Sequence, residues 1–273
     1  MIGSTVFFSV MNALVKYLDY YHVFQLVFFR ALGTLFITFI MLKRRKIHLW
    51  GNQKRLLILR GLVGTTSMFL FFLGIHYMTM GSAVTLRYLA PLFVGIISIL
   101  MYKKSMLPRQ WFYFGLAFLG VYFIKGFDPT ADIFGIIVVL LSAVFSAGVY
   151  LIISKIGTKD HPLVVVFYFM LIATIFGGIG SLFFGVDFRQ EDLFLMLLLG
   201  VFGFFGQILM TQAFQKGPAA QIAPFKYIEV VFTLSIGILL FSETYHLLHL
   251  IGTFLIILGL VLNMRLVAHL DER

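Results

Sequence analysis

Cysteine is absent from this chain, and charged residues are scarce. Of its 273 residues, none is Cys and only 12% are Asp, Glu, Lys or Arg, whereas about 25% are charged in a typical soluble domain. The absence of Cys excludes disulfides, iron–sulfur clusters and thiolate zinc sites. The scarcity of charge, with an apolar fraction of 61%, excludes a soluble globular protein and indicates a membrane protein.

Acidic residues are especially few, since 11 Asp and Glu stand against 21 Lys and Arg. In a soluble protein the resulting net charge of +10 would suggest nucleic-acid binding. In a chain this apolar, basic residues instead indicate how the loops are placed across the membrane. We therefore expect no nucleic-acid partner.

Several catalytic and nucleotide-binding motifs are also missing. No Gly-x4-Gly-Lys-Ser/Thr phosphate loop is present, which disfavours a primary pump but leaves a partner ATPase open. An intramembrane lipid- or peptide-modifying enzyme remains the alternative function, although no Gly-x-Ser-x-Gly, His-Glu-x-x-His or buried acid pair occurs. A receptor or scaffold is a third option. We predict no enzyme activity, no catalytic residues, no metal site and no cofactor.

Long apolar runs fill most of the chain. We interpret each run as a transmembrane helix, which takes about 20 residues, with boundaries good to about three residues. The ten runs lie at 2–18, 22–42, 61–77, 80–101, 110–124, 133–154, 162–184, 193–214, 218–241 and 246–264. Apolar sequence begins at Met1 without a basic leader, so we expect no cleaved signal peptide.

The basic residues between these runs are distributed unevenly. If the N-terminus is cytoplasmic, fifteen Lys and Arg lie in inner loops and the C-terminal tail, with Arg60 counted among them. The outer loops then hold only Lys16, Lys125 and Arg189. The positive-inside rule favours this orientation, so we predict a multi-pass protein of the cytoplasmic (inner) membrane with both termini in the cytoplasm.

A shift of 139 residues aligns the chain with itself without a gap. The aligned pairs include Lys16 and Lys155, His22 and His161, Gly61 and Gly200, Gly64 and Gly203, Arg87 and Lys226, Tyr88 and Tyr227, and Gly120 and Gly259. Each half holds five predicted helices, an odd number, so the halves enter the membrane from opposite sides. We predict an all-α membrane protein with ten transmembrane helices in two inverted five-helix repeats, 1–126 and 132–265, and a tail at 266–273. Such repeats suit alternating access around a central cavity.

Short motifs in both halves resemble those of the drug/metabolite transporter superfamily, in its ten-helix branch built from two EamA-type repeats. They are Phe28-Phe29-Arg30, Arg60-Gly61-Leu62, Gly81-Ser82-Ala83, Pro91-Leu92-Phe93, Gly217-Pro218-Ala219-Ala220, Tyr227-Ile228-Glu229 and Phe241-Ser242-Glu243. The resemblance covers nearly the whole chain. It implies a secondary carrier of small metabolites, with a cavity lined mainly by predicted helices 1, 3, 4, 6, 8 and 9. Val230 replaces a proline that the family often has and Lys104 replaces an acid, so we expect no hinge in the run 218–241.

Charged residues inside the apolar runs are functional candidates, because a charge at a helix centre costs about 2.5–3.5 kcal/mol on insertion scales. Lys226 and Glu229 lie about 12 and 17 Å from the inner end of their run and can pair on one helix face. They form either a structural pair or one that also meets substrate or gates its site. Glu229 is also the buried acid that could carry a coupling proton.

Arg87 and Arg30 each lie about 12 Å from the outer side of their runs. Arg87 has no acid one turn away, so its guanidinium is expected to meet a distant carboxylate or an acidic cargo. A structural bond to backbone carbonyls or an outward-pointing side chain remains open. For Arg30 we favour a structural or gating role over substrate contact. Tyr88 and Tyr227 lie on other faces than their charged neighbours, and we expect them to pack between helices.

Three uncharged polar residues complete the predicted substrate-binding or gating site. Asn12 belongs to a polar stripe on the first predicted helix, which must face protein or a watery cavity. Tyr150 lies on the matching stripe of the sixth helix, and Gln207 lies beyond two glycines on the eighth.

The sequence therefore predicts a secondary transporter that moves a small polar metabolite, anionic or zwitterionic, by alternating access. The expected partners are this small molecule and membrane lipid. The identity of the substrate, the direction of transport, the coupling ion and the presence of a homodimer stay open.

Overall fold

The structure, a computed structural model, describes residues 1–102, 108–127, 132–184, 189–217 and 219–271. Within these ranges every regular element is helical, which confirms the predicted all-α class. The α-helices are α1 (Ile2–Tyr17), α2 (Val23–Arg44), α3 (Lys54–Ile75), α4 (Met80–Arg87), α5 (Ala90–Tyr102), α6 (Pro108–Phe127), α7 (Ile133–Ile156), α8 (Pro162–Phe184), α9 (Leu193–Gln215), α10 (Ala219–Ile222), α11 (Ile228–Phe241) and α12 (Leu247–Asp271). Short 3-10 helices cover Gly157–Lys159, Gln190–Asp192 and Ala223–Tyr227.

Six helical segments of the described ranges are long and apolar enough to cross a membrane. They are Val23–Arg44, Lys54–Ile75, Met80–Ile97, Ile133–Lys159, Pro162–Phe184 and Gln190–Gln215. Many of their large apolar side chains are exposed, as expected for helices that face lipid. The chain is a multi-pass membrane protein.

The apolar run predicted as one helix at 80–101 is interrupted. Helix α4 ends at Arg87 and α5 begins at Ala90. Pro91 explains the break, because a proline has no N–H to donate to the carbonyl four residues earlier, which here is that of Arg87. The predicted transmembrane segment is therefore confirmed as Met80–Ile97, whereas a single unbroken helix at this place is wrong.

The run predicted at 218–241 is interrupted as well, so the expectation that it has no hinge is also wrong. The short helix α10 leads into the 3-10 segment Ala223–Tyr227, and α11 begins at Ile228. Pro224 lies near the start of this segment, where its fixed φ and missing N–H disfavour a regular α-helix. Our expectation rested on Val230, but the proline that matters lies earlier in the run.

Helix α3 begins at Lys54 instead of at Gly61 as predicted. Arg60 therefore lies almost two turns inside the helix, and its side chain is only 1% exposed. Counting Arg60 among the residues of an inner loop was wrong. The error arose because the basic residues of 43–55 hid the short apolar stretch 56–59, which already belongs to the helix.

The helices of the first half pack mainly against helices of the second. Helix α2 contacts α8 and α9, α3 contacts α7 and α8, and α6 contacts α12. Helix α1 lies against α9 and α11, while α7 lies against α4 and α5. Because each of these pairs joins residues before 128 to residues after 131, the two halves form one bundle around a shared interior.

Candidate functional site: a charged cavity in the membrane bundle

A cavity lies between the two halves of the bundle. Its walls come from α1, α2, α3, α4, α7, α8, α9, α11 and the 3-10 segment Ala223–Tyr227. Predicted helices 1, 3, 4, 6, 8 and 9, which the family resemblance implied, correspond to α1, α3, α4–α5, α7, α9 and the segment from α10 to α11, and each contributes to this lining. The cavity is also lined by α2 and α8. The charged side chains of the lining are Arg30, Arg60, Arg87, Lys226 and Glu229.

The structure brings the predicted site residues together. The six that line the cavity are Arg30, Arg87, Tyr150, Gln207, Lys226 and Glu229. The seventh, Asn12, contacts the cavity through Glu229, since its Nδ2 donates to Oε1 of Glu229 at 3.2 Å. Gln207 is 2% exposed and donates from Nε2 to the Thr211 hydroxyl at 3.2 Å.

Lys226 and Glu229 form a buried ion pair. Nζ of Lys226 lies 3.9 Å from Oε2 of Glu229, and the two residues are 4% and 3% exposed. The interruption before Ile228 places Lys226 in the 3-10 segment and Glu229 in the first turn of α11. A carboxylate is favourable there because the N-terminal turn of a helix carries partial positive charge.

Three aromatic rings surround the Lys226 ammonium. The ring centroids of Phe8, Tyr150 and Tyr88 lie 5.1, 5.6 and 5.8 Å from its Nζ. Each ring presents its negative face, which stabilises a cation by about 0.5–2 kcal/mol. The sequence suggested only a packing role for Tyr88, but its ring also contacts this charge.

Arg87 meets a ring and a hydroxyl. Its guanidinium carbon lies 4.1 Å from the centroid of the Phe71 ring, and its Nε donates to Oγ of Ser146 at 3.4 Å. The described part of the chain contains no ion pair that involves Arg87. The residue thus enters the cavity with a charge that no protein carboxylate neutralises directly.

Arg60 is the cavity residue that sequence reasoning missed. Its guanidinium carbon lies 4.1 Å from the centroid of the Phe169 ring. Its Nε and one terminal nitrogen are buried without a hydrogen-bond partner. The signal in the sequence was the apolar stretch 56–59 before it, which indicates that Arg60 lies inside a membrane helix.

Arg30 occupies a similar environment on α2. It is 4% exposed, and its guanidinium carbon lies 5.4 Å from the centroid of the Phe72 ring. One terminal nitrogen contacts the Met68 sulfur, and the Nε has no partner. The cavity therefore contains four cations and one carboxylate, where sequence reasoning counted three cations. Among the described residues, no group of three or more His, Asp or Glu side chains is arranged to hold a metal ion.

A multi-pass helical bundle with a charged cavity between its halves defines a membrane carrier for small solutes. The sequence model described as "EamA-like transporter family" matches residues 1–126 and 133–265. The chain therefore belongs to the EamA-like transporter family of the drug/metabolite transporter superfamily.

Named relatives and a solved structure agree with this assignment. The pseudopaline exporter CntI of Pseudomonas aeruginosa is 31% identical over 260 residues, which cover 93% of this chain and 90% of the relative. Human solute carrier family 35 member G1 is 25% identical over 258 residues, which cover 88% and 71%. A crystal structure with 14% sequence identity superposes with a TM-score of 0.64, covering 96% of this chain and 98% of that one; it supports the fold alone.

Proposed function

We propose that this protein is a secondary transporter that moves a small anionic or zwitterionic metabolite across the cytoplasmic membrane by alternating access. One observation carries the proposal: a cavity between the two halves of a membrane bundle contains four cations and one carboxylate. Buried charge in a membrane is costly, and a cavity with excess positive charge is suited to a solute that brings negative charge.

The same proposal includes ten transmembrane helices in two inverted repeats. Related residues, 139 positions apart, make exchanged contacts. The backbone of Gly33 lies against that of Gly200, and Ile172 lies against Gly61. A shift of 139 turns the first pair into the second with its order reversed, as a two-fold axis between the halves requires. Gly120 against Ile256 and Gly259 against Ala117 repeat the pattern.

Both interrupted helices also fit this arrangement. Arg87 and Lys226 are aligned by the internal duplication, and each lies at a break in its predicted run. In secondary transporters with inverted repeats, broken helices typically place backbone and charged groups at a substrate site near the midplane. We infer that the two breaks are the equivalent points around which the repeats exchange conformation.

The comparison with CntI adds a direction. That relative is named an exporter of pseudopaline, and we propose that this chain also exports its solute. The proposed solute is identified only by its chemistry, which is small, polar and negatively charged in at least one group.

Flux measurements with purified protein test the proposal. Proteoliposomes containing the wild type should transport at least one labelled member of a panel of organic acids, amino acids, nucleotides and vitamins. Arg87→Ala and Lys226→Ala should lower this flux at least tenfold while folded yield falls less. Arg55→Ala is the control, because Arg55 is exposed on α3, outside the cavity. Absence of flux for the whole panel, or unchanged flux in both cavity variants, would contradict the proposal.

The orientation can be tested directly because the chain has no native Cys. Single variants Asp19→Cys and Glu191→Cys should react in intact cells with a membrane-impermeant maleimide. Arg45→Cys and Lys216→Cys should react only after the membrane is permeabilised. All four positions are exposed, so labelling of every position from the opposite side would reject cytoplasmic termini. Labelling of Asp19→Cys and Glu191→Cys from different sides would reject the inverted halves.

A further inference from the structure

The cavity contains a second cationic group besides the paired Lys226. Arg60 on α3 and Arg30 on α2 both line it and are 1% and 4% exposed. The charges of Arg60 and Arg87 both act on Arg30, so the Arg30 guanidinium is repelled by the other two. None of the three forms an ion pair with a carboxylate among the described residues. A buried like-charge cluster of this kind is costly unless a negative group enters it.

Hydrogen bonding in this group is incomplete. Nε and a terminal nitrogen of Arg60 have no partner, and neither does Nε of Arg30. Leaving a buried polar donor without an acceptor is unfavourable, and more so for a charged group. Planar guanidinium donors match the two oxygens of a carboxylate or the oxygens of a phosphate. A ligand with a carboxylate or a phosphate would therefore supply the acceptors that these nitrogens of Arg60 and Arg30 lack.

Lys16 shows what a structural cation looks like in the same protein. Its Nζ donates to the carbonyls of Ile75 and Met78 at 3.1 and 3.4 Å, and it lies 3.9 Å from Asp19. Lys16 thus binds carbonyl groups at the end of α3, which favours a cation. Arg60 and Arg30 have no such acceptors, so a purely structural role leaves their free donors unexplained.

The surroundings hold the Arg60 guanidinium in place. Its guanidinium carbon lies over the Phe169 ring, 4.1 Å from the centroid. A side chain at Gly64 would first meet the terminal nitrogen of Arg60 and would lie 3.0 Å from the Phe169 ring. The absence of a side chain at Gly64 thus leaves the space that the guanidinium occupies, and the Phe169 ring packs against it. The position is preorganised for an anion.

Charge arithmetic favours a ligand with more than one negative group. Glu229 neutralises one of the four cavity cations, which leaves a formal charge of +3. A monoanion bound near Lys226 and Arg87 would leave Arg60 and Arg30 uncompensated. We infer that Arg60 and Arg30 form a second oxyanion subsite, so that the cargo carries two oxyanion groups, each a carboxylate or a phosphate. This inference rests on the proposed transport function and narrows its substrate class.

Matched ligand pairs test the subsite in detergent-purified protein. The first arm compares linear diacids from malonate to adipate with their monoamides, which keep the size but lose one charge. The second arm compares 3-phosphoglycerate with glycerol 3-phosphate, and ribose 1,5-bisphosphate with ribose 5-phosphate, so that each partner has one oxyanion group instead of two. Isothermal titration calorimetry should show at least one ligand with two oxyanion groups, hereafter the dianion, that binds about tenfold or more tightly than its matched partner with one. The arm in which this happens distinguishes a dicarboxylate from a phosphate ester.

Variants assign the preference to Arg60. Arg60→Gln should remove at least tenfold of the affinity for the preferred dianion and leave the affinity for the matched partner nearly unchanged. Arg55→Gln is the control, because it removes one exposed charge from the same helix. If Arg60→Gln does not fold, the wild-type comparison of dianion and partner decides alone. Equal affinity within every pair, or a folded Arg60→Gln that keeps full dianion preference, would overturn the inference.

Transport measurements distinguish a failure of the second subsite from a failure of the transport proposal. Proteoliposomes that transport a monoanion as well as its dianionic counterpart would leave the transport proposal intact and reject the second subsite. Proteoliposomes that transport no member of either arm or of the wider panel would reject the transport proposal itself.

Discussion

The rings of Tyr88 and Tyr227 meet edge to face, with centroids 5.7 Å apart and planes at 86°. The two residues follow Arg87 and Lys226 and are aligned with each other by the internal duplication. In the proposed inverted-repeat arrangement, equivalent residues touch only where the two halves meet on the two-fold axis. The contact therefore joins the two interrupted helices at the wall of the cavity.

Removing one of these rings should loosen that junction. Tyr88→Leu loses the ring pair, worth about 0.5–1.5 kcal/mol, and one of the faces around the Lys226 ammonium. We expect the free energy of unfolding to fall by about 1–3 kcal/mol, measured by chemical denaturation in detergent. Tyr88→Phe keeps the ring and should lose much less. Equal losses in both variants would show that the hydroxyl, and not the ring contact, matters.

The ion pair of Lys226 and Glu229 should be strongly coupled. Replacing Glu229 by Gln leaves a buried ammonium without its carboxylate, and removing one partner of a buried pair costs about 3–5 kcal/mol. Lys226→Met alone leaves an uncompensated carboxylate and should also be costly. The double variant removes both charges and should be more stable than the sum of the single effects predicts. Additive losses in this double-mutant cycle would mean that the two charges do not interact.

How much of this site could be predicted from the sequence depends on where each charge lies. Arg87 and Lys226 interrupt apolar runs and are visible as buried charges in the sequence alone. Arg60 follows a basic segment, so its charge looked like part of a loop. Pro91 was also visible in the sequence, and it accounts for the break after Arg87 because the carbonyl four residues earlier loses its donor.

The contacts of the cavity cations could not be predicted in the same way. Phe169 lies on α8 and Arg60 on α3, and no local pattern connects residues so far apart in the chain. The same holds for Phe8 and Lys226. Periodicity assigns a residue to a helix face, but the partner opposite that face is determined by how the helices pack. The positions of the helices were therefore predictable, whereas the aromatic faces over the charges were not.

Asp160 should stabilise the end of the bundle that carries the α2–α3 and α7–α8 connections. Its carboxylate accepts hydrogen bonds from the backbone N–H groups of Asn52 and Gln53, just before α3, and it is 2% exposed. Its carbonyl accepts from the Gln215 side chain at 2.9 Å. Asp160→Ala leaves these helix-start donors unsatisfied and should cost about 1–3 kcal/mol.

Asp19 provides the matching control for Asp160. Its carboxylate is exposed and lies 3.9 Å from Lys16, and an exposed pair of this kind is worth at most about 1 kcal/mol. Asp19→Ala should therefore change the unfolding free energy much less than Asp160→Ala. A loss at Asp160 no larger than the loss at Asp19 would show that the cap is not important for stability.

Two histidines at helix starts should lower the free energy of unfolding at acidic pH. Nδ1 of His22 accepts from the Phe24 N–H at 3.4 Å, and Nδ1 of His161 accepts from the Leu163 N–H at 3.2 Å. Burial and the nearby His76 lower the pKa of His22, while burial and Arg45 lower the pKa of His161. The folded state thus favours neutral imidazole at both caps.

The sign of the effect follows from proton uptake. Below the ordinary histidine pKa of about 6.5, the unfolded chain binds protons that the folded chain still resists. The free energy of unfolding is therefore highest above that pH. It decreases as the pH drops through the lowered pKa values of the two histidines in the folded state. Thermal unfolding at pH 7.5 and 5.0 should show a smaller acid loss for the double variant His22→Asn/His161→Asn, whose amides can cap without titrating. An equal acid loss in both proteins would reject the effect.

The close backbone approach of Gly33 and Gly200 predicts a sharp difference between two glycine substitutions. A Cβ on Gly200 would lie 2.6 Å from Cα of Gly33 and 3.2 Å from the Thr34 nitrogen, and no rotamer change can move these backbone atoms. Gly200→Ala must therefore separate α2 from α9 and strain the bond from the Thr34 hydroxyl to the Gly200 carbonyl at 2.9 Å. Overpacking of this kind costs about 1–3 kcal/mol.

At Gly115 on α6 a Cβ would meet nothing within 4 Å, and Ala there should be neutral or stabilise the helix by about 0.5–1 kcal/mol. Unfolding free energies that rank Gly115→Ala below Gly200→Ala would contradict the contact, because the intrinsic helix preference for Ala is the same at both positions and only the neighbouring backbone differs.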